Sequence, residues 1–363
     1  MRSPLALTAA CAGAMLSGCG SSPLVAYSTD TPPLVLASAA QAGVADGRAR
    51  FREIFCAVLE AHGQALPDYR PCDEALTRVG IELTPSARPV DLAPSSRGLV
   101  AVFVGGIGFE CVQAWLEPAG TVERHLARYG YGLRSIEVDG LSSSTNNARQ
   151  IRDVLLAMPE AADAPRLVLI GYSKGAADIL EAVVEHPEIR GRVAAVVSAS
   201  GTIAGSPLAN DAEQYQAGLF RHFPGSTCPP GDGGGVESLR TSIRRSWLAA
   251  NPLPTDFPYY SLVTFPDPER ISKVLKPSYR KLSGVDGRND GQMVFYDQVI
   301  PGSTLMGYVN ADHWAIALPI ARTHERIGSW IVTENAYPRE ALAEAVMRYV
   351  EEDLSRRADA GGP

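Results

Sequence analysis

The stretch Arg166-Leu167-Val168-Leu169-Ile170-Gly171-Tyr172-Ser173-Lys174-Gly175-Ala176-Ala177-Asp178-Ile179-Leu180 decides the fold. Residues 166–170 are an apolar run of strand length, and residues 176–186 read as a helix. Between them stands Gly-x-Ser-x-Gly, residues 171–175. In a chain with 34 glycines the pentapeptide says little by itself. The strand running into it and the helix running out of it give it meaning. A sharp strand-to-helix turn forces its central residue into a strained backbone conformation and pushes the side chain outward. Glycines flank that residue because a Cβ there would meet the neighbouring strand and helix. The Ser173 hydroxyl then sits at a helix N-terminus, where developing negative charge is favoured.

Outward from this turn the same alternation repeats. Residues 99–104 form a continuous apolar strand, 121–129 a helix, 133–138 a strand and 146–158 a helix. Beyond the turn come a strand at 193–197, a strand at 260–265, a helix over 269–282, a strand at 304–309 and a last helix over 339–355. Strands buried on both faces and separated by helices predict an α/β fold with a mostly parallel sheet and helices on both faces. The alternation breaks over 203–258, which is rich in Gly and Pro and reads as a cap over the site, with a helix at 238–249. Before the first strand, residues 64–95 are Pro-rich and irregular. A helix begins near Asp46 as N-cap and carries Phe51, Ile54, Phe55, Val58 and Leu59 at helical spacing, up to Gly63.

With these elements in place, residues 98–355 resemble the α/β-hydrolase family, in its lipase and esterase branch. The resemblance implies a serine nucleophile, then an acid, then a histidine, in that chain order. Ser173 is the nucleophile it implies. Of the histidines that follow, His186 ends the elbow helix and cannot reach back, and His222 lies in the cap segment. His313, in Asn310-Ala311-Asp312-His313 after the last strand, resembles the family's base, with His324 further on as the reserve. Gly287-Arg288-Asn289-Asp290-Gly291 resembles the turn where many lipases keep their acid. Asp290 is the choice, Asp286 a competitor, and Asp312 is disfavoured by adjacency. Asp290 could also serve an Asx turn.

Acyl transfer needs donors for a developing oxyanion. The resemblance assigns these to the amides of Lys174 and Ile107, the latter in Val104-Gly105-Gly106-Ile107-Gly108-Phe109. Gly105 stands where the family usually has His. Gly201-Thr202-Ile203-Ala204-Gly205-Ser206-Pro207 resembles a pocket-bordering segment. The Lys174 ammonium is expected to pair with a nearby acid such as Glu110, to meet an anionic substrate, or to lie in solvent.

Arg2 and a short apolar run through Leu16 read as a signal-peptide core, too short to span a bilayer. Leu16-Ser17-Gly18-Cys19 resembles the lipobox of bacterial lipoproteins, which implies cleavage after residue 18 and lipidation of Cys19. Residues 19–45 read as a tether, 46–95 as an N-terminal extension and 96–357 as the hydrolase domain. The implied location is the cell envelope, lipid-anchored, on the periplasmic side of the outer membrane. Cys56, Cys72, Cys111 and Cys228 allow three disulfide pairings in an exported chain. Cys56–Cys72 is favoured because it would tie a helix to the loop after it, leaving Cys111–Cys228.

The chain has 363 residues, 45% hydrophobic and 20% charged, with a net charge of −7. No Lys/Arg-rich run appears, which argues against a nucleic-acid partner. The reading is a serine hydrolase of carboxylic esters, small-molecule or lipid, acting through an acyl-enzyme without metal or cofactor. The alternatives are a polyester depolymerase, thioesterase or amidase on the same parts, or an inactive envelope-binding lipoprotein.

Overall fold

The computed structural model describes residues 43–111, 120–159, 166–211 and 229–361. Eight strands form one sheet. In chain order they are β1 (Ala45–Asp46), β2 (Leu76–Thr77), β3 (Val100–Val104), β4 (Gly132–Ile136), β5 (Leu167–Tyr172), β6 (Val193–Ala199), β7 (Tyr259–Thr264) and β8 (Thr304–Val309). Their order is β1-β8-β7-β6-β5-β3-β4, with β2 also on β8. Every pairing is parallel except β2 with β8. The longer helices are α1 (Arg48–His62), α2 (Gly120–Arg128), α3 (Ser144–Ala157), α4 (Lys174–Glu185), α5 (Thr241–Ala250), α6 (Lys276–Ser283) and α7 (Arg339–Asp359).

The chain passes from β3 outward to β4 and returns to place β5 on β3's other side. The C-terminal ends of β3 and β5 therefore meet where the strand order reverses, the place where open parallel sheets form ligand crevices. Val104 pairs with Gly171, so the loops leaving these strands start side by side. One core cluster joins the β-sheet to α1 and α7 through Phe51, Phe55, Tyr260, Met306 and Met347. Another carries the opposite layer, with Ile151 and Leu155 of α3 and Ile179, Leu180 and Val183 of α4. Helices thus cover both faces, as the alternation requires.

The apolar stripe read on α1 is buried at all five positions. Its start differs from expectation. Asp46 ends β1, the residue before α1 is Gly47, and the Asp46 carboxylate pairs with Arg48 (Oδ1 to Nε, 2.8 Å). A Cβ at 47 would lie 2.2 Å from Tyr349 Oη and 2.6 Å from Thr304 Cγ2, so a larger residue there would displace both side chains. The segment 64–95, expected to be irregular, supplies a helical turn (Cys72–Ala75) and β2, because the edge of β8 offers it backbone partners: Leu76 registers with Val309. The helix expected over 269–282 is broken into turns at Pro268–Arg270 and Lys273–Leu275 before α6. Ser272 between them is extended, and its amide is taken by Asp312 Oδ2 at 2.9 Å. In 203–258, α5 is fastened to the body by Arg244, whose guanidinium meets Glu181 of α4 at 2.6 Å. Much of the remainder of that segment lies outside the described residues.

Cys56 and Cys72 form a disulfide with a Cα–Cα distance of 5.2 Å, as favoured. Cys111 is also disulfide-bonded. Its partner lies outside the described residues, as do Cys19, His222 and Cys228. Among the described residues no helix is long and apolar enough to cross a membrane.

Candidate active site

Ser173 sits between β5 and α4 with φ 54° and ψ −124°. A left-handed φ in a non-glycine residue costs roughly 1–3 kcal/mol and persists only where its surroundings hold it. Here the Ser173 amide donates to Ala199 O (3.3 Å), and its carbonyl accepts from Ala176 (3.2 Å) and Thr202 (2.9 Å). The flanking glycines are enforced by backbone, not taste. A Cβ on Gly171 would lie 2.3 Å from Ala176 Cα, and one on Gly175 would lie 2.2 Å from Val104 O.

β8 ends at Val309 and delivers His313 beside Ser173, with Nε2 3.0 Å from Oγ. The other ring nitrogen, Nδ1, is 2.8 Å from Asp290 Oδ2. Two further bonds fix the imidazole's backbone: His313 N donates to Asp290 O (3.0 Å), and Tyr172 Oη donates to His313 O (2.8 Å). Asp290 is fully buried. Its Oδ1 accepts the amides of Gln292 (2.9 Å) and Met293 (2.8 Å), so it does serve an Asx turn, and its Oδ2 still faces the histidine. Burial pushes the Asp290 carboxyl up. The attraction of His313 and hydrogen bonds from His313, Ser200 and Thr264 outweigh burial and hold it below the ordinary carboxylate range.

The rival acids are engaged elsewhere. Asp286 binds the Arg288 amide (2.8 Å) and side chain (3.2 Å). Asp312 takes the amides of Ser272, Trp314 and Ala315. His324 is bonded to Thr323 Oγ1 at 2.9 Å, and His186 ends α4.

The loop after β3 presses against Ser173. A Cβ on Gly106 would lie 2.7 Å from Ser173 Cβ and 3.1 Å from its Oγ. Among the described residues the Ile107 amide has no backbone acceptor. Lys174 opens α4, so its amide has no intrahelical partner. Gly105 tolerates no side chain, because Phe109 fills the space: a Cβ would be 2.5 Å from its ring. The support a histidine would give comes from elsewhere. Gly108 N donates to Gly140 O (3.3 Å), and Gly140 N donates to Glu110 Oε1 (2.8 Å). Burial raises the Glu110 carboxyl above its usual value.

Lys174 pairs with an acid, as one of its expectations had it, but the acid is Asp178. Its ammonium is buried and bonds both oxygens of Asp178 at 2.7 and 2.8 Å, one helical turn along α4. Glu110 is not its partner. Asp178 is satisfied further by Asn147 Nδ2 at 2.8 Å. The ammonium faces inward because a buried carboxylate on the same helix face neutralises it.

The segment after β6 borders the site as expected, with Thr202 on the Ser173 carbonyl and Ile203 and Ala204 donating to Asp297 O. Ser200, Thr264 and Gln298 were not anticipated. All three converge on Asp290 Oδ2. A serine at the end of a buried strand next to the elbow strand was the available signal.

A cavity of about 470 Å³ runs along the sheet face beside this centre. Gly106, Phe109, Tyr172 and Ala199 line it near Ser173, and Val346 and Met347 line it beneath α7. Its wall is mostly apolar. Among the described residues no group of three or more His, Cys, Asp or Glu side chains is placed to hold a metal.

The chain is similar to the crystal structure of the metagenomic carboxyl esterase MGS0156. It is 39% identical, with a TM-score of 0.81, covering 90% of this chain and 97% of that one. Lipase 1 from Pelosinus fermentans is 14% identical with a TM-score of 0.50, over 69% of this chain and 98% of that one, a likeness of fold. The mature Bacillus licheniformis lipase BlEst2 is 21% identical with a TM-score of 0.49, over 62% of this chain and 89% of that one. No protein-family model and no curated protein matched the chain.

Proposed function

Because the chain belongs to the α/β-hydrolases, in the family of that carboxyl esterase, we propose that it hydrolyses carboxylic esters by a Ser173–His313–Asp290 triad through an acyl-enzyme. The observation that carries this reading is the unbroken chain of contacts from Ser173 Oγ to His313 Nε2 (3.0 Å) and from Nδ1 to Asp290 Oδ2 (2.8 Å). Ser173 Oγ attacks the ester carbonyl, and its proton passes to Nε2. The carbonyl π pair moves to oxygen, where the amides of Ile107 and Lys174 receive it. Collapse of the tetrahedral species breaks the bond to the alkoxide, which takes the proton from Nε2. Water repeats the cycle on the acyl-enzyme and releases the acid. Asp290, ionised by its bonds, holds the tautomer with the proton on Nδ1 and stabilises the imidazolium. Each oxyanion donor contributes ~3–4 kcal/mol to the barrier reduction.

The apolar cavity beside Gly106 supports a substrate whose acyl chain is hydrocarbon, with hydrophobic burial as its main binding term. The N-terminal lipobox-like sequence supports lipid attachment at Cys19 and a place in the envelope facing the periplasm.

Labelling with a fluorophosphonate probe tests the core of the reading. The parent takes one label, Ser173→Ala takes none, and His313→Ala labels at least a hundred-fold more slowly, within the ~10²–10⁴ range for general-base loss. A parent that takes no label overturns the proposal. A panel of nitrophenyl esters of rising acyl length then reads out the cavity, with kcat/KM climbing through medium chains.

A further inference from the structure

Ser200 follows β6 directly, with φ 50°, so two serines in left-handed conformation stand at the ends of adjacent strands. Ser173 is one and Ser200 the other. The second is fully buried and contacts no solvent. Its Oγ lies 2.8 Å from His313 Nδ1, 2.7 Å from Asp290 Oδ2 and 2.6 Å from Thr264 Oγ1. Thr264 Oγ1 is itself 2.7 Å from Asp290 Oδ2. The backbone is held where it must be: Ser200 N donates to Leu262 O on β7 at 2.9 Å.

Counting protons assigns the directions. Asp290 is an acceptor at both oxygens, and Oδ1 is taken by two backbone amides. Oδ2 therefore receives His313 Nδ1–H and the Ser200 hydroxyl proton, and Thr264, 2.6 Å from Ser200 Oγ, gives its one proton to that oxygen. A hydroxyl that donates its one proton keeps its lone pairs as acceptors. Having given its proton to Asp290, Ser200 Oγ can only accept from Nδ1, 2.8 Å away, so Nδ1–H is shared between Asp290 Oδ2 and Ser200 Oγ.

Resting on the triad reading above, we propose that Ser200 is a positioning residue for catalysis. It clamps the Asp290 carboxylate with its proton and gives the His313 imidazolium a second acceptor as charge develops during acyl transfer. It acts through His313 and does not touch the ester. The titratable groups facing the imidazole are Asp290 from the β7–β8 connection and Tyr172 at the end of β5, whose ring centroid lies 5.1 Å away, while the Ser173 hydroxyl faces Nε2. Tyr172 bonds the His313 carbonyl, and Asp312 turns to the amides of Ser272, Trp314 and Ala315. Removing Ser200 Oγ therefore removes an acceptor that the remaining neighbours do not replace.

Two variants test this. Ser200→Ala deletes the hydroxyl and keeps the Cβ. Ser200→Gly deletes the hydroxyl and relieves the backbone at φ 50°. Both are expected to lower kcat for a nitrophenyl ester about 10- to 100-fold, the range for a hydrogen bond to a charged group, with KM little changed. Both also move the acid limb of the kcat/KM profile to lower pH, because an imidazolium with one acceptor fewer loses its proton more readily. A loss of activity with the acid limb unmoved, or restored activity in Ser200→Gly, assigns the effect to backbone shape and overturns the proposal, as does parent-like turnover in Ser200→Ala. Failure of the triad reading itself is separable, since then the parent takes no fluorophosphonate label.

Discussion

Asp290→Asn exchanges one oxygen for an NH2 group and keeps the shape, and the structure sets its consequence. The side chain sits between two kinds of donor. Oδ1 faces the amides of Gln292 and Met293, at 2.9 and 2.8 Å, which cannot rotate. Oδ2 faces the hydroxyls of Ser200 and Thr264, which can, and His313 Nδ1. An asparagine therefore turns its carbonyl toward the fixed amides and its NH2 toward the hydroxyls and the imidazole. The NH2 has two hydrogens, so one hydroxyl rotates to accept from it and the other turns its proton elsewhere. Nδ1 must also accept, which moves the imidazole proton to Nε2, opposite Ser173 Oγ. The base then carries a proton where it needs a lone pair. A carboxylate-to-amide change that enforces the wrong tautomer lowers kcat about ten-thousand-fold, or about 5 kcal/mol of barrier. Steady-state hydrolysis of a short nitrophenyl ester reads this loss, and a thermal melt confirms that the variant is folded. Asp286→Asn, which disturbs only the Arg288 contacts, stays within a few-fold of the parent. If Asp290→Asn keeps a tenth of the parent's kcat, or if Asp286→Asn is the variant that fails, the tautomer reasoning is wrong.

Gly106→Ala places a methyl group 2.7 Å from Ser173 Cβ. The loop must retreat with its Ile107 amide, so kcat is expected to fall ~10²–10³-fold, the cost of one oxyanion donor; parent-like turnover of a small acetate ester would exclude that amide. Burial raises the Asp297 carboxyl to about 6 despite Arg245 at 3.1 Å. With an unfolded value near 3.9, the native state resists its ionisation, so that contribution to stability is present below about pH 4 and is lost as pH rises through about 6. Asp297→Asn is therefore expected to be more stable than the parent by up to about 3 kcal/mol at pH 8 and equal to it at pH 3.5, in urea melts. A gain that is the same at both pH values would place its origin outside the carboxyl's charge. Replacing both Cys56 and Cys72 with Ala opens a loop with sequence separation 16 and is expected to cost ~3 kcal/mol, read from the denaturation midpoint. An unchanged midpoint would show that α1 needs no covalent tie.

Much of this architecture could be read from residue order. The elbow was legible because a buried strand, two glycines and a helix occupy one continuous stretch. His313 followed because it comes soon after a recognisable apolar strand, and Asp290 because residues 287–291 resemble the turn where many lipases keep their acid. What escaped has two physical sources. β1 and β2 are two residues each, too short to show a period, and they exist because β8 offers an edge. The cluster around Asp290 gathers Ser200 from 90 positions away and Thr264 from 26, a convergence that no local pattern encodes. Lys174 is a different case. Its partner Asp178 stood four residues along the same helix, a spacing that brings side chains together, and a closer reading of that helix would have found it.

The two short strands along β8 also bear on how little of this chain can be removed. A polypeptide begun at Gly98 would retain Ser173, Asp290, His313 and the amides of Ile107 and Lys174 proposed to receive the oxyanion. It would leave β8, the strand that delivers His313, as a bare margin with unpaired N–H and C=O groups, open to recruitment by another molecule's strand. Trimming toward a minimal enzyme would therefore be met first as clumping and heat lability, while the reacting groups themselves stayed intact.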